Sequence, residues 1–167
     1  MYVVFVVLHI LSAGIWIGLG VVTVLVNNFR KRAVGTLGEL YLMRSTLIYG
    51  SVMGNIGGIG ILITGPAMAG IRHLPWFAFN VVPWLAIKQV IFVVVLAITF
   101  AIYVPLSKKI GRQIGEEMGG ANPASGASLN LRTMFDRIVT VGMVVQILVL
   151  INIILGEWQP MLWATTP

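Results

Sequence analysis

Four long apolar runs constrain the fold of this chain more strongly than any other feature of its sequence. They cover roughly residues 2–27, 43–71, 80–106 and 131–156. A helix needs about 20 apolar residues to cross a hydrocarbon core of about 30 Å, and every run reaches that length. Because backbone groups inside a bilayer must be hydrogen-bonded within the protein, such runs are typical of membrane-spanning helices. We therefore expect an all-α, integral membrane four-helix bundle, with residues 1–167 forming a single transmembrane domain.

The distribution of Lys and Arg predicts how these spans are oriented in the lipid bilayer. Four of these cations lie around the loop between spans one and two and five around the loop between spans three and four, so these two regions hold nine of the 11. The remaining loop holds Arg72, and Lys88 lies within the third span. The positive-inside rule places the cation-rich loops in the cytoplasm and both termini outside. The expected location is the bacterial cytoplasmic membrane.

Composition excludes several other classes of protein. Charged residues make up 10% of the chain, against about a quarter in soluble domains. The net charge of +6 comes from clusters at the ends of apolar runs, so it predicts topology and no nucleic-acid partner. The chain contains no cysteine, which excludes disulfides, zinc–thiolate sites and thioether-linked haem within it. The first run has no basic residues before it, and we interpret it as a retained span.

His9 and Lys88 are ionisable side chains placed well inside predicted spans. Each costs about 2.5–3.5 kcal/mol on insertion scales, so a functional role is the first hypothesis. At a rise of 1.5 Å per residue, both lie roughly 10–13 Å below the predicted outer boundary. Two other interpretations stay open. Lys88 could snorkel towards the outer headgroups, and His9 could be a hydrogen-bonded interior histidine without a cofactor.

A histidine and a lysine at matching depth could together ligate the iron of a haem. Neutral imidazole is a common axial ligand of haem iron, and a neutral lysine amine could occupy the opposite position. This pattern predicts a haem, with iron between His9 and Lys88. His73, in the outer loop, is the alternative second ligand or an ordinary surface residue. Arg72 could pair with the haem propionates, and no catalytic residue is predicted.

Small residues follow one face of the second span. Gly50, Gly54 and Gly58 recur every four residues, a spacing that lets two backbones, or a backbone and a flat ligand, approach closely. Tight helix packing and a wall for a planar cofactor both remain open. In the second case Gly54 and Gly58 would contact the cofactor together with Trp16, which shares a helical face with His9. The same glycine face predicts a homodimer.

Three amide side chains lie within the spans. Asn55 is near the middle of the second span, Gln146 is near the middle of the fourth, and Asn152 is nearer its outer end. We expect Gln146 and Asn152 to form interhelical hydrogen bonds. Polar groups cluster in the outer half and form no continuous path to the inner side, which argues against a permease.

Two short motifs resemble a known membrane superfamily. His9, Trp16 and Gly18 form H-x6-W-x-G in the first span, and Trp84 and Lys88 form W-L-x-x-K at the start of the third. These motifs are similar to those of the four-helix superfamily that includes HemJ-type protoporphyrinogen oxidases, CopD-like membrane domains and related uncharacterised membrane proteins. The resemblance implies haem b binding through His9 and Lys88. HemJ-type stretches that contain Arg with Tyr-His, and Asn-Glu-Pro, are replaced here by NNFRKR and RTMFDR, so the chain looks closest to the uncharacterised members.

The leading functional hypothesis is a haem b-binding membrane protein with a redox role, either in electron transfer or as a small membrane oxidoreductase. One alternative is a structural or assembly subunit of a membrane respiratory complex. A metal or solute permease is the other. The expected partners are the lipid bilayer and either a second copy of the chain or a larger membrane complex.

Overall fold

The computed structural model describes residues 1–77, 79–80, 82–120 and 126–157. Its helices are α1 (Tyr2–Arg32), α2 (Leu37–Ile71), α3 (Pro83–Ile98), α4 (Val104–Met118) and α5 (Leu129–Glu157). A π-helical turn, Thr99–Tyr103, joins α3 to α4 without a break. The described ranges contain no strand, and the predicted all-α fold is confirmed.

Four helical segments are long and apolar enough to cross a membrane: Tyr2–Arg32, Leu37–Ile71, Pro83–Met118 and Leu129–Gly156. They overlap the four predicted apolar runs and extend beyond them at the end with the cation-rich loops, most of all the third, which continues to Met118. The third begins at Pro83 and not at residue 80, because proline lacks an N–H and favours the first position of a helix. Many Val, Ile and Leu side chains along these helices are exposed, a surface suited to contact with lipid.

The charge distribution still predicts which end of the bundle faces the cytoplasm. We call the end with the α1 N-terminus and Arg72 the outer end, and the end with Arg30 and Arg132 the inner end. The expected position of the C-terminus depends on residues 158–167, which lie outside the described residues. The orientation therefore remains a prediction.

The helices pack mainly as two pairs, α1 with α2 and α3 with α5. The inner end has a core of buried apolar side chains from α2, α4 and α5, among them Leu40, Ile110 and Phe135. A second core, centred on Trp16, Val95 and Val145, joins the two pairs further towards the outer end. These cores fix the positions of α1 and α3, which carry His9 and Lys88.

Glycines of α2 allow α1 to approach closely. A Cβ on Gly57 would lie 2.9 Å from the carbonyl oxygen of Ser12, and a Cβ on Gly60 would overlap the Ser12 side chain. The predicted glycine face of α2, formed by Gly50, Gly54 and Gly58, also packs against other helices of its own chain. Cβ atoms on Gly54 and Gly58 would lie 3.8 Å from atoms of Leu19 and Trp16, respectively. A homodimer stays a prediction, and it would require a surface other than this one.

Replacing Gly57 by leucine is expected to force α1 away from α2. The added side chain would meet backbone atoms of α1, which cannot move without separating the helices. Overpacking of this kind lowers the free energy of unfolding by about 1–3 kcal/mol. Thermal unfolding in detergent, followed by circular dichroism, measures the effect.

Gly70→Leu is the matched control, because a Cβ at this exposed position of α2 would meet nothing within 4 Å. A Gly57→Leu variant that unfolds at the same temperature as the Gly70→Leu variant would contradict the close contact between α1 and α2.

Ion pairs join three helices at the inner end. Glu39 is fully buried, and its carboxylate accepts hydrogen bonds from Arg132 Nε and Nη2, each at 2.8 Å. Arg30, which is 3% exposed, lies 3.7 Å from the same carboxylate and also pairs with Asp136. The backbone N–H of Gly35 donates to Glu39 at 3.0 Å. Arg30 and Arg132 thus have a structural role in addition to their predicted effect on topology.

Candidate functional site

His9 lies on the face of α1 that packs against α2. Its side chain is half-buried, and its Nδ1 atom lies 2.7 Å from Thr64 Oγ1. Gly65 leaves room for the imidazole, since a Cβ at that position would lie 3.7 Å from His9 Cε1. The close approach of α1 and α2 therefore brings together two side chains that are 55 residues apart in the sequence.

The hydrogen bonds of Thr64 assign the tautomer of a neutral His9. The Thr64 hydroxyl lies 2.6 Å from the carbonyl oxygen of Gly60. A carbonyl oxygen can only accept, so the single hydroxyl proton is donated there, and Thr64 Oγ1 accepts the proton of His9 Nδ1–H. His9 Nε2 then carries the lone pair. Metal-binding histidines use the same arrangement, in which a protein acceptor holds one ring N–H and the other nitrogen binds the metal.

Lys88 lies on α3 beside the last turns of α5. Its Nζ atom is 6.0 Å from the centre of the Trp84 ring. A Cβ on Gly156 would lie 2.6 Å from this Nζ atom, so the glycine leaves room for the amine. Asn152 Nδ2 donates to the Lys88 carbonyl oxygen at 3.1 Å, which confirms its predicted interhelical hydrogen bond. Helix α5 thus fixes the backbone that carries Lys88 and accommodates its side chain.

His9 and Lys88 belong to different helix pairs, His9 to the pair of α1 with α2 and Lys88 to the pair of α3 with α5. Trp16 of α1 and Val95 of α3 belong to the same core, and each lies seven residues inward of His9 and Lys88, respectively. Both residues are therefore about two helical turns outside this shared core, which agrees with the single depth that the sequence predicts.

Arg72 and His73 lie further out, beyond the last residue of α2. Both are exposed, and the Arg72 guanidinium lies over the ring of Tyr2, with its carbon 4.4 Å from the ring centre. His73 adopts a φ of 54° in the turn that ends the helix. Seven residues, or roughly 10 Å of helix axis, separate Thr64 from the end of α2 at Ile71. His73 is therefore well beyond the level of His9.

Trp16 lies on the inner side of His9. It is 6% exposed, and its carbonyl oxygen accepts a hydrogen bond from Gln146 Nε2 at 2.9 Å, which confirms the interhelical bond predicted for Gln146. Trp16 and Gly54 line a cavity in the inner half of the bundle that neither His9 nor Lys88 reaches. Trp16 therefore separates Gly54, in the inner half, from an outer group of predicted site residues, which comprises His9, Lys88, Arg72 and His73.

The sequence interpretation missed Thr64 and Gly156, the residues beside the two nitrogen side chains. Gly57, Gly60 and Thr64 recur at i, i+3 and i+7, so they share one face of α2. Asn152 and Gly156 are one turn apart on α5. Helical spacing could have found both residues. Across the described ranges, no group of three or more His, Asp or Glu side chains could hold a metal ion.

No protein-family model matches the chain, and no curated protein or solved structure is significantly similar to it. The resemblance to the HemJ-type superfamily therefore remains a prediction based on the motifs around His9 and Lys88.

Proposed function

We propose that this chain is a haem b-binding integral membrane protein with a redox role, located in the bacterial cytoplasmic membrane. The observation that carries the proposal is the hydrogen-bonded series His9–Thr64–Gly60. It presents the lone pair of an imidazole nitrogen inside an apolar bundle. When bound, haem would supply one-electron cycling of its iron.

Each residue of the outer group has a separate role in this proposal. His9 Nε2 would bind the iron, and Thr64 would fix the orientation of the ring. Lys88 would be the second side chain that holds the iron, and it is favoured over His73 because it lies as far from the shared core as His9 does, while His73 lies beyond the end of α2. Arg72, on the outer turn, is the cation available to carboxylates that face the headgroups.

A visible absorption spectrum tests the proposal directly. The purified protein, expressed with added haem, is measured after air oxidation and again after reduction with dithionite. We expect a Soret band that sharpens with distinct α and β bands on reduction. A protein that stays colourless would overturn the proposal and favour a structural or assembly subunit of a membrane complex.

Replacing Thr64 by valine is expected to weaken haem binding without unfolding the bundle. Valine keeps the shape of threonine but leaves His9 Nδ1–H without its acceptor, so the ring is no longer held. Loss of the hydrogen bond that orients a metal-binding histidine lowers the affinity for the metal by roughly 10- to 100-fold. Haem titration of the purified protein, followed at the Soret band, measures the change.

Thr46→Val is the matched control for this variant. Thr46 is a second buried threonine of α2, and its hydroxyl bonds the carbonyl oxygen of Leu42 in its own helix. Equal haem affinities in the two variants would show that Thr64 does not position His9.

A further inference from the structure

The inner half of the bundle contains a cavity of about 600 Å³ that all four spans line. Sites for small molecules usually measure about 300–1,000 Å³. The cavity opens sideways, because lining residues such as Val24, Asn55 and Ile147 are exposed on the surface of the bundle. A ligand dissolved in the bilayer can therefore enter it directly from the hydrocarbon.

The lining is apolar with a few uncharged polar groups and no charged side chain. Thr46 and Ser107 donate to carbonyl oxygens of their own helices. Within the part of the chain that the structure describes, the side chains of Ser51, Thr99 and Tyr103 have no hydrogen-bond partner. None of their polar atoms is buried without a partner, so these hydroxyl groups face open space.

The π-helical turn places two of these hydroxyl groups. Thr99 and Tyr103 are its first and last residues, and such turns inside α-helices often occur at functional sites. The Tyr103 ring fits between two glycines: a Cβ on Gly50 would lie 2.6 Å from its hydroxyl oxygen, and one on Gly142 would lie 3.7 Å from its Cε2. The hydroxyl is thereby held at the α2 side of the cavity.

Hydroxyl donors at the depth of the hydrocarbon are unfavourable unless an acceptor satisfies them. A fatty acyl chain offers no acceptor, and a phosphate headgroup would bring a charge that no lining residue neutralises. The ligand that matches this lining is neutral, lipid-soluble and equipped with carbonyl oxygens. We propose that the cavity binds the ring of a membrane quinone, with Tyr103 and Thr99 donating hydrogen bonds to a ring carbonyl.

This binding requires neither His9 nor iron, so it stands independently of the haem proposal. Trp16 lines the outer part of the cavity and is seven residues from His9, or roughly 10 Å along α1. A quinone ring in the cavity would lie on the opposite side of Trp16 from the outer group.

Photolabelling of the full-length protein in liposomes tests the proposal. An azidoquinone is the probe, an unlabelled short-chain quinone is the competitor, and mass spectrometry identifies the labelled peptides. We expect saturable labelling of the segments 46–55 and 99–107 that the competitor suppresses. Labelling that the competitor leaves unchanged, or that is spread over the lipid-facing surface, would overturn the proposal.

Two variants make the test specific. Tyr103→Phe removes one donor and keeps the ring, so the competitor concentration needed for half-suppression should rise roughly two- to tenfold. Gly54→Leu should abolish labelling by filling the cavity, since a Cβ on Gly54 has only Leu19 within 4 Å, at 3.8 Å. Gly14→Leu, at an exposed position of α1 with nothing within 4 Å, should label like the unaltered protein. Unchanged competition in the Tyr103→Phe variant would overturn the proposed hydrogen bond, and full labelling of the Gly54→Leu variant would overturn the site.

Discussion

Replacing His9 by alanine is expected to abolish the haem spectrum of the purified protein. In the proposed site the imidazole would bind the iron, and its Nδ1 atom already lies 2.7 Å from Thr64 Oγ1. Alanine removes the nitrogen that would bind iron and leaves the acceptor without its donor. The measurement is the dithionite-reduced minus air-oxidised spectrum, with protein recovery and circular dichroism recorded to verify that the variant folds.

His73→Ala and Lys88→Ala complete the experiment. His73 is exposed in the turn after α2, so its replacement should leave all haem bands in place. Lys88→Ala should retain a Soret band whose position and shape change, because one of the two side chains proposed to hold the iron is lost. A folded His9→Ala protein with an unaltered spectrum would contradict the proposed role of His9. Loss of haem in the His73→Ala variant would show that His73, and not Lys88, is the second iron ligand.

Replacing Glu39 by alanine is expected to cause a large loss of stability. The substitution removes the carboxylate that faces Arg132 and the 3%-exposed Arg30, so α2 no longer forms ion pairs with α1 and α5 there. Removing one partner from a buried ion pair lowers the free energy of unfolding by about 3–5 kcal/mol when the remaining charge is uncompensated. Arg30 keeps its ion pair with Asp136 and Arg132 is 26% exposed, so the expected loss is at the lower end of this range. Thermal unfolding in detergent should show a lower melting temperature.

Glu116→Ala is the control for the loss of a carboxylate. Glu116 pairs with Arg112 one turn away on α4, at 3.8 Å, and both side chains are largely exposed. An exposed pair of this kind contributes no more than about 0.5 kcal/mol. If the Glu39→Ala and Glu116→Ala variants unfold at the same temperature, the inner ion pairs do not hold the three helices together.

The sequence allowed the number of spans and the helical fold to be predicted, and also two hydrogen bonds between helices. Gln146 and Asn152 were expected to bond across helices, since an amide inside a span needs a partner and the neighbouring helices supply one. Each of these inferences depends on a property of a single segment. The length of an apolar run decides whether it can cross a bilayer, whichever helix lies beside it.

The partners of particular side chains could not be predicted in the same way. Thr64 is 55 residues from His9, and Glu39 is 93 residues from Arg132. Which residues meet across two helices depends on how far each helix is rotated about its axis and shifted along it. For α1 and α2, close packing at Gly57 and Gly60 decides both the rotation and the shift. This packing depends on the two helices together and not on either sequence segment alone.

The sequence by itself determined that this chain forms four apolar helices, with His9 and Lys88 placed on two of them. Only the tertiary structure decided that His9 bonds Thr64 through Nδ1, that Glu39 joins three helices, and that Tyr103 faces a cavity. The physical reason is that apolar length and helical period are local properties of the chain. The contacts made by a side chain depend on which helices pack together and on the register at which their backbones approach.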